Sequence, residues 1–260
     1  QAVRAHIVVA GIDEPCQFHG LAFSSDGRRL YASGAGKEVV HALEFSKGML
    51  SNPTTFPLRE PKQRGVPSGV VVHPDGGRLW TANVLGQSVT ELSLDRATGT
   101  AQVAREFELA DRATAPVTGD SDPFREVDDE AITKRARALL EALNTVAPYP
   151  YACVLDATRR RLYVSLWGMS AVEVIDLDSG RTTARWTVQE HPNEMLLTRN
   201  GRFLFVANAN RNTVSVLDTE TGRVAETLEA ELEPGSPPGS TPNSLALSPD
   251  ESLLFVANAN

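Results

Sequence analysis

One phrase returns five times along this chain of 260 residues and limits the fold more than any other feature. It reads DGRRLYAS from Asp26, DGGRLWTA from Asp75, TRRRLYVS from Thr158, NGRFLFVA from Asn200 and DESLLFVA from Asp250. The shared leucines are Leu30, Leu79, Leu162, Leu204 and Leu254. A glycine follows each of the first four (Gly48, Gly99, Gly180, Gly222), at distances of 18, 20, 18 and 18 residues. Chance does not hold such a spacing, and a period of roughly 40 residues marks a repeat architecture.

Each unit reads as four strands, a to d. An apolar run such as SLALS (Ser244 to Ser248) is strand a, and a Pro-Asp or Asp-Gly turn follows it. LFVAN is strand b, the alternating TVSVLD is strand c, and VAETLE is strand d. The c–d hairpin, DTETGR, places glycine where a positive φ is needed. Four short strands per repeat define an all-β chain, a β-propeller of four-stranded blades. A lone four-stranded sheet cannot cover both its faces, so blades pack face to face around an axis with strand a innermost. The whole of residues 1–260 is read as one propeller domain, incomplete at both ends. AHIVVAG (Ala5 to Gly11) reads as the outer strand of an earlier blade, and the last copy stops inside strand b.

The connections are unequal. From the c–d glycine to the start of the next strand a, Gly180 to Pro192 takes 12 residues, Gly48 to Pro67 takes 19, Gly222 to Pro242 takes 20 and Gly99 to Pro150 takes 51. The d–a and b–c loops of a propeller share one face, around the channel mouth, and long loops on a rigid scaffold are where function gathers. The longest, residues 111–147, is an acidic insertion between blades two and three. Asp122-Pro123 is a helix start, and Ile132, Ala136, Leu139, Leu140 and Leu143 form an apolar stripe. These predict a helix from Pro123 to Thr145 lying on the top face. Its carboxylates lack a D-x-D-x-D alternation and read as a solvated face.

Aligning the copies puts Phe18, Pro67, Pro150, Pro192 and Pro242 in register, and the polar residues His19, Ser68, Tyr151, Asn193 and Asn243 one position later. These should ring the channel mouth. The next position holds Gly20, Gly69, Ala152, Glu194 and Ser244, where Glu194 is the exception among small residues. Two readings stand. In one, Glu194 with Asn193, Asn243 and His19 binds a polar ligand or a hard cation, Ca2+ or another divalent metal. In the other, the ring binds channel water and Glu194 pairs with an arginine. Trp167 and Met169 fall in a b–c loop on that face, suited to ligand stacking or to packing, and His191 lies on the same rim. The recurrent Asn83, Asn208 and Asn258 are read as structural, satisfying turn backbone groups.

Bulk properties narrow the partners. Net charge is −8, against nucleic acid; Arg159-Arg160-Arg161 reads as a solvated hairpin. No apolar run reaches the roughly 18 residues of a membrane span. Cys16 and Cys153 fit neither a zinc site nor a disulfide framework. The chain begins at Gln1 with no charged-then-apolar leader, so a leader was removed or the sequence starts within a longer protein. No Gly-rich phosphate loop, G-x-S-x-G or H-E-x-x-H occurs.

LFVANANRNTVSVLDTETGRVAETL, from Leu204, resembles the YVTN family of β-propeller repeats of bacterial and archaeal surface and exported proteins. Blade one departs from it (LYASGAGKEVVHALEF). TPNSLALSPDESLLFVANAN is similar to a group in which such a propeller precedes a phosphoesterase domain, whose catalytic motifs do not occur here. The resemblance implies an exported (periplasmic, cell-surface or secreted) binding or scaffold region, with a protein domain or a small polar or glycan ligand on the top face. A more distant resemblance is to lactonase-like seven-bladed propellers, which would make the channel mouth a hydrolase site and leave about two blades outside these residues.

Overall fold

The computed structural model describes residues 20–109, 147–231, 233 and 239–259. The repeats become antiparallel meanders whose strands neighbour one another in chain order. Blade 1 holds β1 (Leu21–Phe23), β2 (Arg29–Ser33), β3 (Val39–Ser46) and β4 (Met49–Pro57). Blade 2 holds β5 (Pro67–Val72), β6 (Arg78–Asn83), β7 (Ser88–Leu94) and β8 (Ala101–Glu108). Blade 3 holds β9 (Pro150–Asp156), β10 (Arg161–Leu166), β11 (Ala171–Asp176) and β12 (Arg181–Thr187). Blade 4 holds β13 (Pro192–Leu197), β14 (Phe203–Asn208), β15 (Thr213–Asp218) and β16 (Arg223–Glu229). The fifth unit contributes β17 (Pro242–Leu247) and β18 (Leu254–Asn258). The helix expected from Pro123 to Thr145 lies outside the described residues, as do His19, Phe18 and Cys16.

The strand-a elements follow one another: β1 packs beside β5, β5 beside β9, β9 beside β13 and β13 beside β17. Apolar cores lie between blades, as single sheets with two apolar faces require. Trp80, Val89 and Phe107 of blade 2 meet Leu162, Val164 and Ile175 of blade 3 in one core. Tyr163 and Val174 of blade 3 meet Met195, Leu204 and Leu217 of blade 4 in another. The middle strands are buried on both sides, whereas β12 and β16 are largely exposed. That gradient explains why strands b and c read as apolar runs and strand d as polar. The c–d glycines carry the expected positive φ, 69° to 77°.

The small residues opening strand a mark where blades touch. A Cβ at Gly69 would lie 2.6 Å from both the Tyr151 carbonyl oxygen and the Ala152 Cα of blade 3. Backbone cannot give as a side-chain tip can. Gly69→Ala is therefore expected to destabilise the fold by about 2 kcal/mol, read as a lowered urea midpoint at unchanged slope.

Candidate functional site at the channel mouth

The rim is built from a repeated pair of left-handed residues. The residue before each strand-a proline has positive φ: Val66 55°, Tyr149 46°, His191 54° and Thr241 44°. Its carbonyl accepts the amide of the residue just after strand b: Val84, Trp167, Ala209 and Ala259 in turn. A second left-handed residue precedes strand c: Glu38, Gln87, Ser170 and Asn212. Its carbonyl accepts the amide at the end of strand d: Leu58, Leu109, Val188 and Ala230. Three of these four also send a side chain to the next blade. Glu38 Oε1 accepts the Val66 amide at 2.7 Å, Gln87 Oε1 the Tyr149 amide at 2.8 Å, and Asn212 Oδ1 the Gly239 and Ser240 amides at 2.9 and 2.8 Å.

Two of the residues expected to line the mouth, Ser68 and Asn193, are engaged in joining blades. Ser68 Oγ donates to the Tyr151 carbonyl at 2.7 Å. Asn193 is buried; its Nδ2 donates to the Pro242 carbonyl at 3.2 Å and its Oδ1 accepts the Glu194 amide at 2.6 Å. Both ends of that amide are engaged, and Oδ1 keeps one further lone pair. Asn243 is exposed at the start of β17. Among the described residues no group of three His, Cys, Asp or Glu side chains is placed to hold a metal. Of the donors expected for a cation, Glu194, Asn193 and Asn243 are among the described residues and His19 is not.

Glu194 is the distinctive group. At the equivalent place in blade 1, a Cβ on Gly20 would lie 2.2 Å from the Ser68 carbonyl oxygen, so the next backbone excludes even a methyl. Blade 4 makes room for a whole carboxylate. Burial pushes the Glu194 carboxyl above the ordinary range, with the Met195 amide opposing. No arginine or lysine among the described residues pairs with it, which removes the ion-pair reading within that set. It borders an open cleft of about 450 Å³, shared with Cys153, Leu155, Met195 and Leu197 and lined also by the turns at Asp156 and Asn200. The Tyr151 hydroxyl is pushed up by burial first and then by the charge of Glu194, so the two share one environment. A carboxyl that keeps its proton to higher pH in a partly apolar cleft can donate a proton or anchor a polar ligand.

An aromatic cluster lies on the rim, where His191 precedes Glu194 by three residues. Trp167 and His191 stack with centroids 3.9 Å apart and planes at 10°, and Tyr149 meets Trp167 edge-on at 6.2 Å. Met169 turns inward against the core between blades 2 and 3. The repeated asparagines are structural but in a different way from that expected. Asn83 donates to Ser88 and Thr90 hydroxyls and Asn208 to those of Thr213 and Ser215; Asn258 alone meets backbone, at the Ala230 carbonyl. Arg159 is likewise no loose surface charge: it pairs with Asp156 at 2.8 Å and donates to the Gly201 carbonyl of blade 4. The latch residues Glu38, Gln87 and Asn212 are not among those the repeat alignment singles out. Their signal was present, a polar residue eight positions after each repeat leucine.

The family profile of the SMP-30/Gluconolactonase/LRE-like region matches residues 6–122, just under half of the chain. No curated protein matches it in sequence. Among solved structures, a catalytically inactive virginiamycin B lyase from Staphylococcus aureus bound to quinupristin aligns with TM-score 0.64 at 15% identity, over 95% of this chain and 65% of that one. Hydrazine synthase of Kuenenia stuttgartiensis aligns with TM-score 0.63 at 16% identity, over 98% and 58%. The periplasmic gluconolactonase of Pseudomonas aeruginosa aligns with TM-score 0.56 at 21% identity, over 82% and 53%. The chain is a β-propeller. At these identities the likeness establishes the fold alone, and the chain spans under two thirds of the length of each of these structures. The YVTN-type repeat and a phosphoesterase association find no match among these relatives. What they support is a propeller like those of the gluconolactonase group. No helix among the described residues is long and apolar enough to cross a membrane.

Proposed function

We propose that this propeller binds a small polar ligand at the mouth and wall of its channel between blades 3 and 4, and that opening of a lactone or similar ester is the chemistry the site fits best. One observation carries the reading. Glu194 stands, half-buried and without a cation partner among the described residues, where Gly20, Gly69, Ala152 and Ser244 stand in the other copies. A half-buried carboxyl of this kind can hold a proton for the leaving oxygen of an ester. The profile match to residues 6–122 and the gluconolactonase-like neighbours support the same class. The test is turnover of a panel of aliphatic, sugar and aryl lactones, with and without a chelator. Hydrolysis that is lost in Glu194→Gln is expected; hydrolysis indifferent to that change would sink the reading. Abolition by chelator would show that a metal joins Glu194 through ligands beyond those described.

A second reading keeps one support, the likeness of LFVANANRNTVSVLDTETGR to exported repeat propellers that precede a phosphoesterase domain. There the top face is a docking surface for a protein domain or glycan. It predicts no turnover for any lactone tested.

A further inference from the structure

The step from blade 3 to blade 4 is built differently from its neighbours. Glu38, Gln87 and Asn212 each hold the next blade's loop through a side-chain oxygen. Ser170 has their place and their left-handed backbone, φ 51°, but its short side chain reaches no loop amide among the described residues. The loop that follows is held from blade 4 instead, by Thr213 Oγ1 donating to Gln189 Oε1 and by Arg211 pairing with Glu190, each at 2.6 Å, and it ends in His191. That residue keeps a left-handed φ of 54°, a conformation disfavoured for any side chain larger than glycine. Its Nδ1 is shielded from solvent yet has no hydrogen-bond partner among the described residues. What holds the imidazole is its flat contact on Trp167.

Trp167 itself is fixed. Its amide donates to the Tyr149 carbonyl at 3.1 Å, and the Tyr149 ring closes its edge. Tyr149 is in turn latched by Gln87. A firmly held indole face is thus covered by a ring whose own Nδ1 is tied to nothing among the described residues, three residues along the chain from Glu194. The repeat puts Val84, Ala209 and Ala259 where Trp167 stands, so blade packing does not demand an indole there.

We infer that Trp167 is the floor of a stacking subsite for a ligand carrying a flat ring, and that His191 is the ring that leaves to admit it. The subsite rests on the channel reading above and names its ligand class: a molecule with a planar, weakly polar face joined to the group that meets Glu194. The covering ring lowers apparent affinity by the fraction of time it occupies the face, so freeing the face tightens binding.

Acrylamide quenching of tryptophan fluorescence tests this without assuming a natural substrate. Trp80 is fully buried, and the Trp167 share is read by difference from Trp167→Phe. His191→Ala is expected to raise quenching of the Trp167 component. Dihydrocoumarin, a lactone fused to a flat ring, is expected to protect that component in the unaltered protein and to bind about tenfold more tightly to His191→Ala. Ser170→Gln, which installs the latch of Gln87, is expected to slow amide exchange at residues 189–191 and to weaken dihydrocoumarin binding. Unchanged quenching in His191→Ala overturns the inference, as does undiminished dihydrocoumarin binding by Trp167→Phe. If γ-butyrolactone, which lacks the flat ring, binds equally well and Glu194→Gln abolishes both, the subsite fails and the channel reading stands. If neither lactone binds the unaltered protein, both fail.

Discussion

Replacing Arg59 with methionine is expected to lower stability at pH 7 by about 3–5 kcal/mol, the cost of leaving an enclosed carboxylate without its cation. Glu38 is fully buried, and its Oε2 has no hydrogen-bond partner among the described residues. The Arg59 guanidinium lies 3.6 Å from that oxygen and also binds Glu106 Oε1 and Thr90 Oγ1, each at 2.9 Å. Burial pushes the Glu38 carboxyl up; the Val66 amide and Arg59 oppose it, and Glu106 adds to it. The direction fixes the pH dependence. A carboxyl raised in the fold contributes stability that is fully present below its unfolded pKa and lost as pH rises through its folded value. Without Arg59 the folded value climbs further, so the deficit of Arg59→Met should shrink on acidification from pH 7 to pH 5. Adding Glu38→Gln should recover most of it at pH 7, because glutamine already plays this latch at Gln87. Urea unfolding of the single and double variants at the two pH values decides it. A deficit equal at both would mean that Arg59 acts through packing rather than charge.

The fold was legible in the sequence because the repeat encodes it redundantly. The leucine-to-glycine spacing, the turn glycines and the apolar middle strands each specify the same meander, and a blade recurs wherever they coincide. The site was legible only where one copy broke the pattern. Glu194 stood out because four aligned positions were small, and the packing of the next backbone against Gly20 and Gly69 supplies the reason. The metal reading treated Asn193 as a free donor. Its carbonyl partner, Pro242 of the next blade, is 49 residues away and follows from no rule of spacing, and with the Glu194 amide it engages both ends of the side chain. The same holds for Ser68, whose partner is Tyr151, 83 residues away. Polar residues at blade seams are ambiguous in sequence because inter-blade hydrogen bonds and ligand sites select the same side chains. Trp167 and His191 were visible one at a time, but nothing in one dimension shows two rings 3.9 Å apart.

Glu194→Gln is expected to separate stability from function. The carboxylate is charged at neutral pH only at a cost, since burial raises its pKa and no cation among the described residues offsets it. Glutamine keeps the shape and removes the charge, so the variant should gain about 1 kcal/mol at pH 7. By the same linkage the gain should vanish below the carboxyl's unfolded pKa, where both side chains are neutral. Turnover of any lactone the propeller opens should fall by about a hundredfold or more, the contribution of a positioned proton donor. A half-buried group whose removal stabilises a fold is retained for something other than folding. A Glu194→Gln protein less stable than its parent at pH 7 would instead make Glu194 part of the blade 4 seam, hydrogen-bonded through Met195, and the channel would lose its reactive group.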